Sequence, residues 1–256
     1  MIQIVDTHAH LESLENIEKV LGEARLKGVA AIVAMGSDYQ SDVKTLELAA
    51  KFKGYVFPAV GLHPWELGRS QAGELERVLK LIEENNEDIV AIGEIGLDYH
   101  KSVKAEASKD RQQAVLKELL LLSRKLGKPV SLHSRYAWKD CLSCVREAAV
   151  DKAVFHWFTG FSSVLQGIIS AGYYISVTPA AEYHAEHRRA IKEAPLERLL
   201  LETDCPVYYG REDRYQSSPV DLRRSLTAAA QIKETDEENI ALHTTKNAMK
   251  LFNLVL

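Results

Sequence analysis

His8 and His10 stand two positions apart at the end of a short apolar run, Ile2–Val5. Alternate residues of a strand share a face, so both imidazoles would converge on one point. Such a pair is a good start on a divalent-cation site, although two partly buried histidines can equally be structural. Other apolar runs end in the same manner. Glu94 interrupts Ile89–Ile95, His133 closes Pro129–His133, His156 lies in Ala153–Trp157, and Asp204 follows Leu199–Glu202. Carboxylates and imidazoles do not belong in buried apolar strands without a counter-charge, and a divalent cation supplies one. Six ligands exceed the needs of one tetrahedral ion. They suit two ions about 3.5–4 Å apart that share a carboxylate. Glu94 is the bridging candidate, with His8, His10 and Asp204 on one ion and His133 and His156 on the other. Such a centre activates water for attack on phosphorus or on a carbonyl carbon, and Asp204 is the residue to orient that water and take its proton. Four imidazoles favour Zn, Mn, Fe, Co or Ni over Mg, which prefers oxygen ligands.

These residues meet only if the strands carrying them lie side by side. Apolar runs alternate with amphipathic segments along the whole chain. Ile2–Val5 precedes an expected helix over Leu14–Lys27, Ala30–Met35 one over Gln40–Phe52, and Val56–Val60 one over Gly73–Asn85. Ile89–Ile95 precedes Arg111–Leu126, Pro129–His133 precedes Trp138–Ala148, and Ala153–Trp157 precedes Ser162–Ala171. Tyr173–Val177 precedes Glu182–Lys192, and Leu199–Glu202 precedes Val220–Gln231 and a final helix over Glu237–Phe252. The helical segments repeat apolar residues at three- and four-residue spacing, and the strands are near-continuous apolar runs, as parallel strands covered on both faces are. Eight strand–helix units predict an α/β fold, a (β/α)8 TIM barrel, with residues 1–256 as one domain. In a barrel all six candidate ligands surround one mouth. The longest irregular stretch, Cys205 to Pro219, lies on that side and is a candidate lid or substrate loop.

Composition narrows the function. The 256 residues carry 32 Lys and Arg against 36 Asp and Glu, a net charge of −4, which excludes a generally basic nucleic-acid-coating protein but not a local basic groove. The three cysteines, Cys141, Cys144 and Cys205, do not make a disulfide framework. No apolar run approaches a membrane span, and the start shows no secretory pattern, so a cytoplasmic protein without membrane association is expected. Cys141 and Cys144 lie three apart on an expected helix with no second pair, and no zinc or redox role is assigned to them. His100, His184, His187 and His243 occupy polar contexts and are expected at the surface.

Asp6-Thr7-His8-Ala9-His10-Leu11, Gly61-Leu62-His63-Pro64, Gly93-Glu94-Ile95-Gly96-Leu97-Asp98-Tyr99, His133-Ser134-Arg135-Tyr136-Ala137, His156-Trp157-Phe158-Thr159-Gly160 and Glu202-Thr203-Asp204-Cys205-Pro206 resemble, in order, the motifs of the TatD family of metal-dependent deoxyribonucleases, within the amidohydrolase-like barrels. The resemblance implies hydrolysis of DNA phosphodiesters, of the 3′-to-5′ exonuclease kind, with two divalent ions (Zn, Mn or Mg) on the same six residues. It implies single-stranded or frayed DNA ends as substrate and no obligate protein partner. Two departures stand out. Position 12 is Glu12 where the family often has Asp, and Arg214–Pro219 replaces a Gly-Lys-Arg-Asn-Glu-Pro type segment near the mouth. Candidate substrate contacts are His63, Arg135, Trp157 and Arg211, with Trp65, Tyr99, Lys139, Phe158 and Arg214 as further possibilities, since basic groups neutralise phosphate and rings stack on bases. Each has a plainer alternative: Trp157 and Phe158 could pack under a loop, Arg135 could support the neighbouring His133, and Arg211 and Arg214 could be solvated. Two rival functions share the scaffold, a small-molecule amidohydrolase or esterase and a non-catalytic metal-binding protein.

Overall fold

The computed structural model describes residues 2–69 and 71–256. The apolar runs form eight strands: β1 (Ile4–Ala9), β2 (Val29–Met35), β3 (Val56–Val60), β4 (Ala91–Gly96), β5 (Val130–His133), β6 (Ala153–Phe155), β7 (Tyr174–Val177) and β8 (Leu199–Leu201). Each pairs in parallel with the next in chain order. The helices between them are α1 (Ile17–Leu26), α2 (Tyr39–Lys51), α3 (Glu74–Glu84), α4 (Lys101–Glu106), α5 (Lys109–Leu126), α6 (Trp138–Glu147), α7 (Ser162–Ser170) and α8 (Ala185–Glu193), with α9 (Leu222–Lys233) and α10 (Glu237–Phe252) after the last strand. Parallel strands need such crossovers, and the result is the expected (β/α)8 barrel.

The ring closes where the chemistry is. Asp204 N–H donates to the His8 carbonyl at 2.9 Å and His10 N–H to the Cys205 carbonyl at 2.8 Å. Below them Thr7 Oγ1 donates to the Leu201 carbonyl at 2.9 Å. The buried Asp6 carboxylate accepts from Thr203 N at 3.0 Å and Thr203 Oγ1 at 2.6 Å. This seam corrects the expected first strand. It runs past Val5 to Ala9 because its polar residues find partners at the end of the last strand and just after it, 194 to 197 positions away.

Inside the ring, Val5, Ala31, Val33, Ala59, Ala91, Val154 and Leu200 form an apolar cluster closed by Leu251, Phe252 and Leu254 from the end of α10 and beyond. His156 stands two residues after Val154 and Glu202 two after Leu200, so strand alternation puts them on the same inner face nearer the mouth. The barrel interior thus passes from an apolar floor to a charged top.

Other elements shift for local reasons. The helix expected over Leu14–Lys27 starts at Ile17, because Asn16 takes a left-handed conformation, φ 51°, after the 3-10 turn Leu11–Ser13. That expected over Glu182–Lys192 starts at Ala185, since Thr178 caps a separate 3-10 turn, Pro179–Glu182. The one expected over Val220–Gln231 starts at Leu222, after the turn Pro219–Asp221. Cys205–Pro219 is not wholly irregular: Tyr208–Tyr209 pairs antiparallel with Tyr215–Gln216, and Ser217 N–H donates to the Val207 carbonyl at 2.9 Å.

His187 is not at the surface. It is fully buried on the apolar face of α8 with Ala190 and Ile191. Its Nδ1 hydrogen-bonds the Phe158 carbonyl at 3.0 Å, and its Nε2 accepts from Thr178 N–H at 3.2 Å. Both bonds fit only the neutral ring. Burial lowers its pKa from 6.5 to about 4, the Phe158 bond opposing only partly. The unfolded chain therefore binds a proton that the fold refuses, and the stability this ring contributes is present above pH 6.5 and lost as pH falls toward 4. The loss is about 3 kcal/mol. His187→Gln should flatten the fall in melting temperature between pH 6.5 and 4; an unchanged profile relative to wild type would assign the acid sensitivity elsewhere.

Candidate metal centre

The six expected residues meet at the C-terminal end of the barrel. Glu94 lies at the centre. Its Oε1 is 2.8 Å from His156 Nε2 and 2.9 Å from His133 Nδ1, and its Oε2 is 3.3 Å from His10 Nε2 and 3.4 Å from His8 Nε2. Asp204 Oδ1 faces the same space, 3.6 Å from His8 Nε2 and 3.8 Å from His10 Nε2. His63, expected to touch substrate, also reaches Glu94 Oε1, at 3.3 Å. Among the described residues three groups have ligand atoms close enough to share an ion: His8, His10 and Asp204; His63, Glu94 and His133; and His8, His156 and Glu202. His8 Nε2 is buried and has no hydrogen-bond partner among the described residues, although two carboxylates stand near it. A buried polar atom without a partner is costly, and a cation among these donors removes the cost. The residues present therefore fit a divalent metal.

The backbone is bent to deliver these groups. Trp157, directly after His156, and Asp204 itself take left-handed conformations, φ 41° and 49°. Non-glycine residues pay for that geometry, and it gathers at functional sites. Gly96 (φ 147°) ends β4 against the His133 carbonyl oxygen, which a Cβ at this position would strike. The close approach sets Glu94 and His133 side by side.

A second layer of partners fixes which ring nitrogen faces inward. Ser131 Oγ lies 3.2 Å from His8 Nδ1 and Asp98 Oδ2 2.9 Å from His133 Nε2, whereas the Glu202 carboxylate stands 3.4 Å from His156 Nδ1 without a hydrogen bond to it. Outer partners of this kind hold a ligand histidine in one tautomer and orientation. Asp98 does more. The same Oδ2 accepts from Trp65 Nε1 at 2.6 Å and Arg135 Nε at 2.8 Å, so one buried carboxylate ties a basket histidine to two residues of the mouth.

Charges in the basket are strongly coupled. Burial alone would raise the Glu94 carboxyl, but His63, His156 and His8 outweigh it and hold it well below the usual carboxylate range. Burial pushes Asp204 up to about 7 against the pull of His156 and His10. Burial likewise brings His8 down to about 4, with His156 adding to the effect. His10 rises to about 9, because Glu94 and Asp204 overcome its burial. A divalent ion would take the place of the protons on these rings.

Above the basket opens a cleft of about 780 Å³, lined by the six residues' mouth-facing members and by His63, Trp65, Arg135 and Trp157. Arg135 is the one Lys or Arg on its wall among the described residues, while Glu12, Glu66 and Glu186 are acidic neighbours. Arg211 is not brought to the cleft: it is exposed, and its NH2 group donates to the Tyr183 carbonyl at 3.0 Å. Arg214 stacks over Tyr208, 5.6 Å from the ring centroid. Phe158 is fully buried, and Tyr99 is buried with its hydroxyl donating to Asp140 at 2.9 Å, so both pack instead of lining the wall. Sequence reasoning missed Asp98 as the partner of His133 and Glu202 as the acidic neighbour of His8 and His156, although both stand inside the quoted motifs.

The chain is similar to known proteins over nearly its whole length. Residues 5–253 match the family model described as TatD related DNase. Deoxyribonuclease TATDN3 of Homo sapiens is 31% identical over 261 residues, covering 98% of this chain and 95% of that protein. The metal-dependent hydrolase YabD of Bacillus subtilis is 30% identical, covering 98% of this chain and 99% of that one. Among solved structures, YJJV, a TatD homolog from Escherichia coli, superposes with a TM-score of 0.89 at 27% identity over 99% of both chains.

Proposed function

The chain belongs to the TatD family of metal-dependent hydrolases, and from that premise we propose that it is a deoxyribonuclease trimming single-stranded or frayed DNA ends, in the 3′-to-5′ direction. His8, His10, Glu94, His133, His156 and Asp204 would hold two divalent ions, with Glu94 shared between them. Its two oxygens each face a different set of imidazoles. The observation that carries this reading is the buried Nε2 of His8, which lies between two carboxylates with no hydrogen bond to any of the described residues. Four imidazoles favour Zn or Mn over Mg.

When bound, divalent ions supply Lewis acidity to the phosphate and bring water's pKa toward neutrality. The chain's own groups do the rest. Glu94 is enclosed by imidazoles and serves as a fixed counter-charge. Asp204 has only longer contacts and faces the cleft, which leaves it free to orient the attacking water and take its proton as oxygen adds to phosphorus. The departing oxygen then needs a proton, which Asp204 can return. Arg135, fixed at Nε by Asp98, remains to meet a phosphate oxygen with its terminal nitrogens. His63 and Trp157 line the same wall.

One observation favours a second reading. The cleft's volume suits a small molecule, and its wall has few cations for a polyanion, so a small-molecule esterase or amidohydrolase remains the rival. Protein reconstituted separately with Zn, Mn and Mg, assayed on labelled single- and double-stranded DNA and on a panel of lactones and cyclic amides, separates the two. Cleavage of DNA with at least one metal is expected. Turnover of a lactone or cyclic amide with no DNA cleavage under any metal would sink the nuclease reading.

A further inference from the structure

The rim of the cleft carries rings that the metal basket does not use. Among the described residues the exposed large aromatic side chains are Trp65, Tyr136, Phe161 and Tyr208, at 46%, 59%, 69% and 55% exposure. All four follow the C-terminal ends of barrel strands, after β3, β5, β6 and β8. Exposed aliphatic side chains such as Leu26, Leu121 and Leu242 lie instead on the outer helices α1, α5 and α10. Scattered aliphatics need no explanation, but rings gathered on one face mark a binding surface.

Three rings form a continuous strip. Trp138 sits 5.8 Å from Tyr136 and 5.6 Å from Phe161, edge to face with both. The buried Phe158 backs Trp138 at 6.4 Å. Tyr136 is held in the left-handed region, φ 58°, with His100 stacked on it at 6.2 Å. Gly160 allows the chain to pass beneath: a Cβ there would come within 2.6 Å of both the Phe158 and Trp138 rings. Packing against Phe158 and Gly160 therefore holds Trp138, the middle ring of the strip, in place. Its inner end is continuous with the basket, since Tyr136 and Trp138 line the same cleft as Glu94 and Asp204.

The wall's charge says what the strip must do. With Arg135 against Glu12, Glu66 and Glu186, a DNA strand cannot be gripped here mainly through its phosphates. Ring faces offer the alternative, because every base has a π-face and stacking tolerates any sequence. A duplex keeps those faces covered. We propose, on the basis of the nuclease reading above, that Tyr136, Trp138 and Phe161 form a base-stacking subsite that holds unpaired nucleotides next to the scissile bond and selects single strands over duplex.

Fluorescence anisotropy with labelled oligothymidylates of about two and about eight nucleotides tests this, using metal-loaded and chelator-treated protein. Tyr136→Ala and Phe161→Ala should each weaken binding of the longer strand about 5- to 100-fold, and Tyr136→Phe should bind as wild type. Leu242→Ala, on the far side, should bind as wild type too. The salt dependence of wild-type binding should be shallow, as for few phosphate contacts. If the alanine variants bind the longer strand as tightly as wild type, the strip is not a subsite, while DNA cleavage by wild type would leave the nuclease reading standing. If wild type binds no single strand in either metal state, both fall. Duplex bound as tightly as single strand overturns the subsite, and so does a change in sedimentation of the variants without loss of DNA affinity, which would mark the rings as a contact between copies of the chain.

Discussion

Asp204→Asn should lower kcat by roughly 100- to 10,000-fold while the protein still binds metal, only more weakly. The two effects separate because of where the side chain stands. Its backbone is locked at the seam, with Asp204 N–H on the His8 carbonyl, and asparagine keeps the size needed to stay there. An amide oxygen can still face a cation, though as a neutral donor, and five other ligand candidates remain. It cannot take a proton from water. Metal titration followed calorimetrically, beside kcat on the substrate that the metal-reconstituted protein turns over, gives both quantities from one preparation. A variant that retains most of its activity would remove the proton-accepting role from Asp204. A variant that loses metal and activity in parallel would make Asp204 chiefly a ligand.

The parts of the molecule readable from sequence are those with local signals. A histidine or acid at the end of an apolar run can be seen without knowing its partners, and the alternation of runs with amphipathic segments orders them around a barrel. Six residues were therefore in view before their contacts were. His187 has a local signal too, and it points against the surface position expected from its polar neighbours. Positions 187, 190 and 191 have the spacing of a buried helical face, which should have outweighed the polar neighbours Glu186 and Arg188. Asp98 is different. Its role depends on Trp65 arriving from the loop after β3 and on His133 and Arg135 from the end of β5 and the loop after it, and nothing near position 98 states it. The same holds for Asp6, whose partner Thr203 is 197 positions away. Glu202 lies between these cases. It precedes Asp204 by two in an apolar strand, so the argument that made Asp204 a candidate applied to it as well. The substrate wall is the least readable part, because the short turns that bring Glu12 and Glu66 to the cleft, and the loop that leaves Arg211 outside, have no periodic pattern.

Glu94→Gln should be the most damaging single change to the centre, and its pH dependence identifies why. Five imidazoles face this one carboxylate. Glutamine preserves shape and removes the charge, so metal affinity should fall by 100-fold or more, about 3 kcal/mol, as when one partner of a buried charge cluster is taken away. Metal content after dialysis reads this directly. Chelator-treated protein gives an independent reading. The His10 pKa rises from 6.5 to about 9, so the stability this pairing contributes is fully present below 6.5 and lost as pH rises through about 9. The Glu94 carboxyl is held well below its ordinary value of 4.5, so its contribution is present above 4.5 and lost as pH falls further. The two windows overlap between pH 4.5 and 6.5, and there the treated variant should melt furthest below treated wild type, with the gap narrowing toward pH 9. A gap that does not change with pH would mean glutamine disturbs packing and that the carboxylate is not the counter-charge. A closing gap, together with lost metal, would show that one carboxylate balances protons on the imidazoles when metal is removed and metal when it is restored.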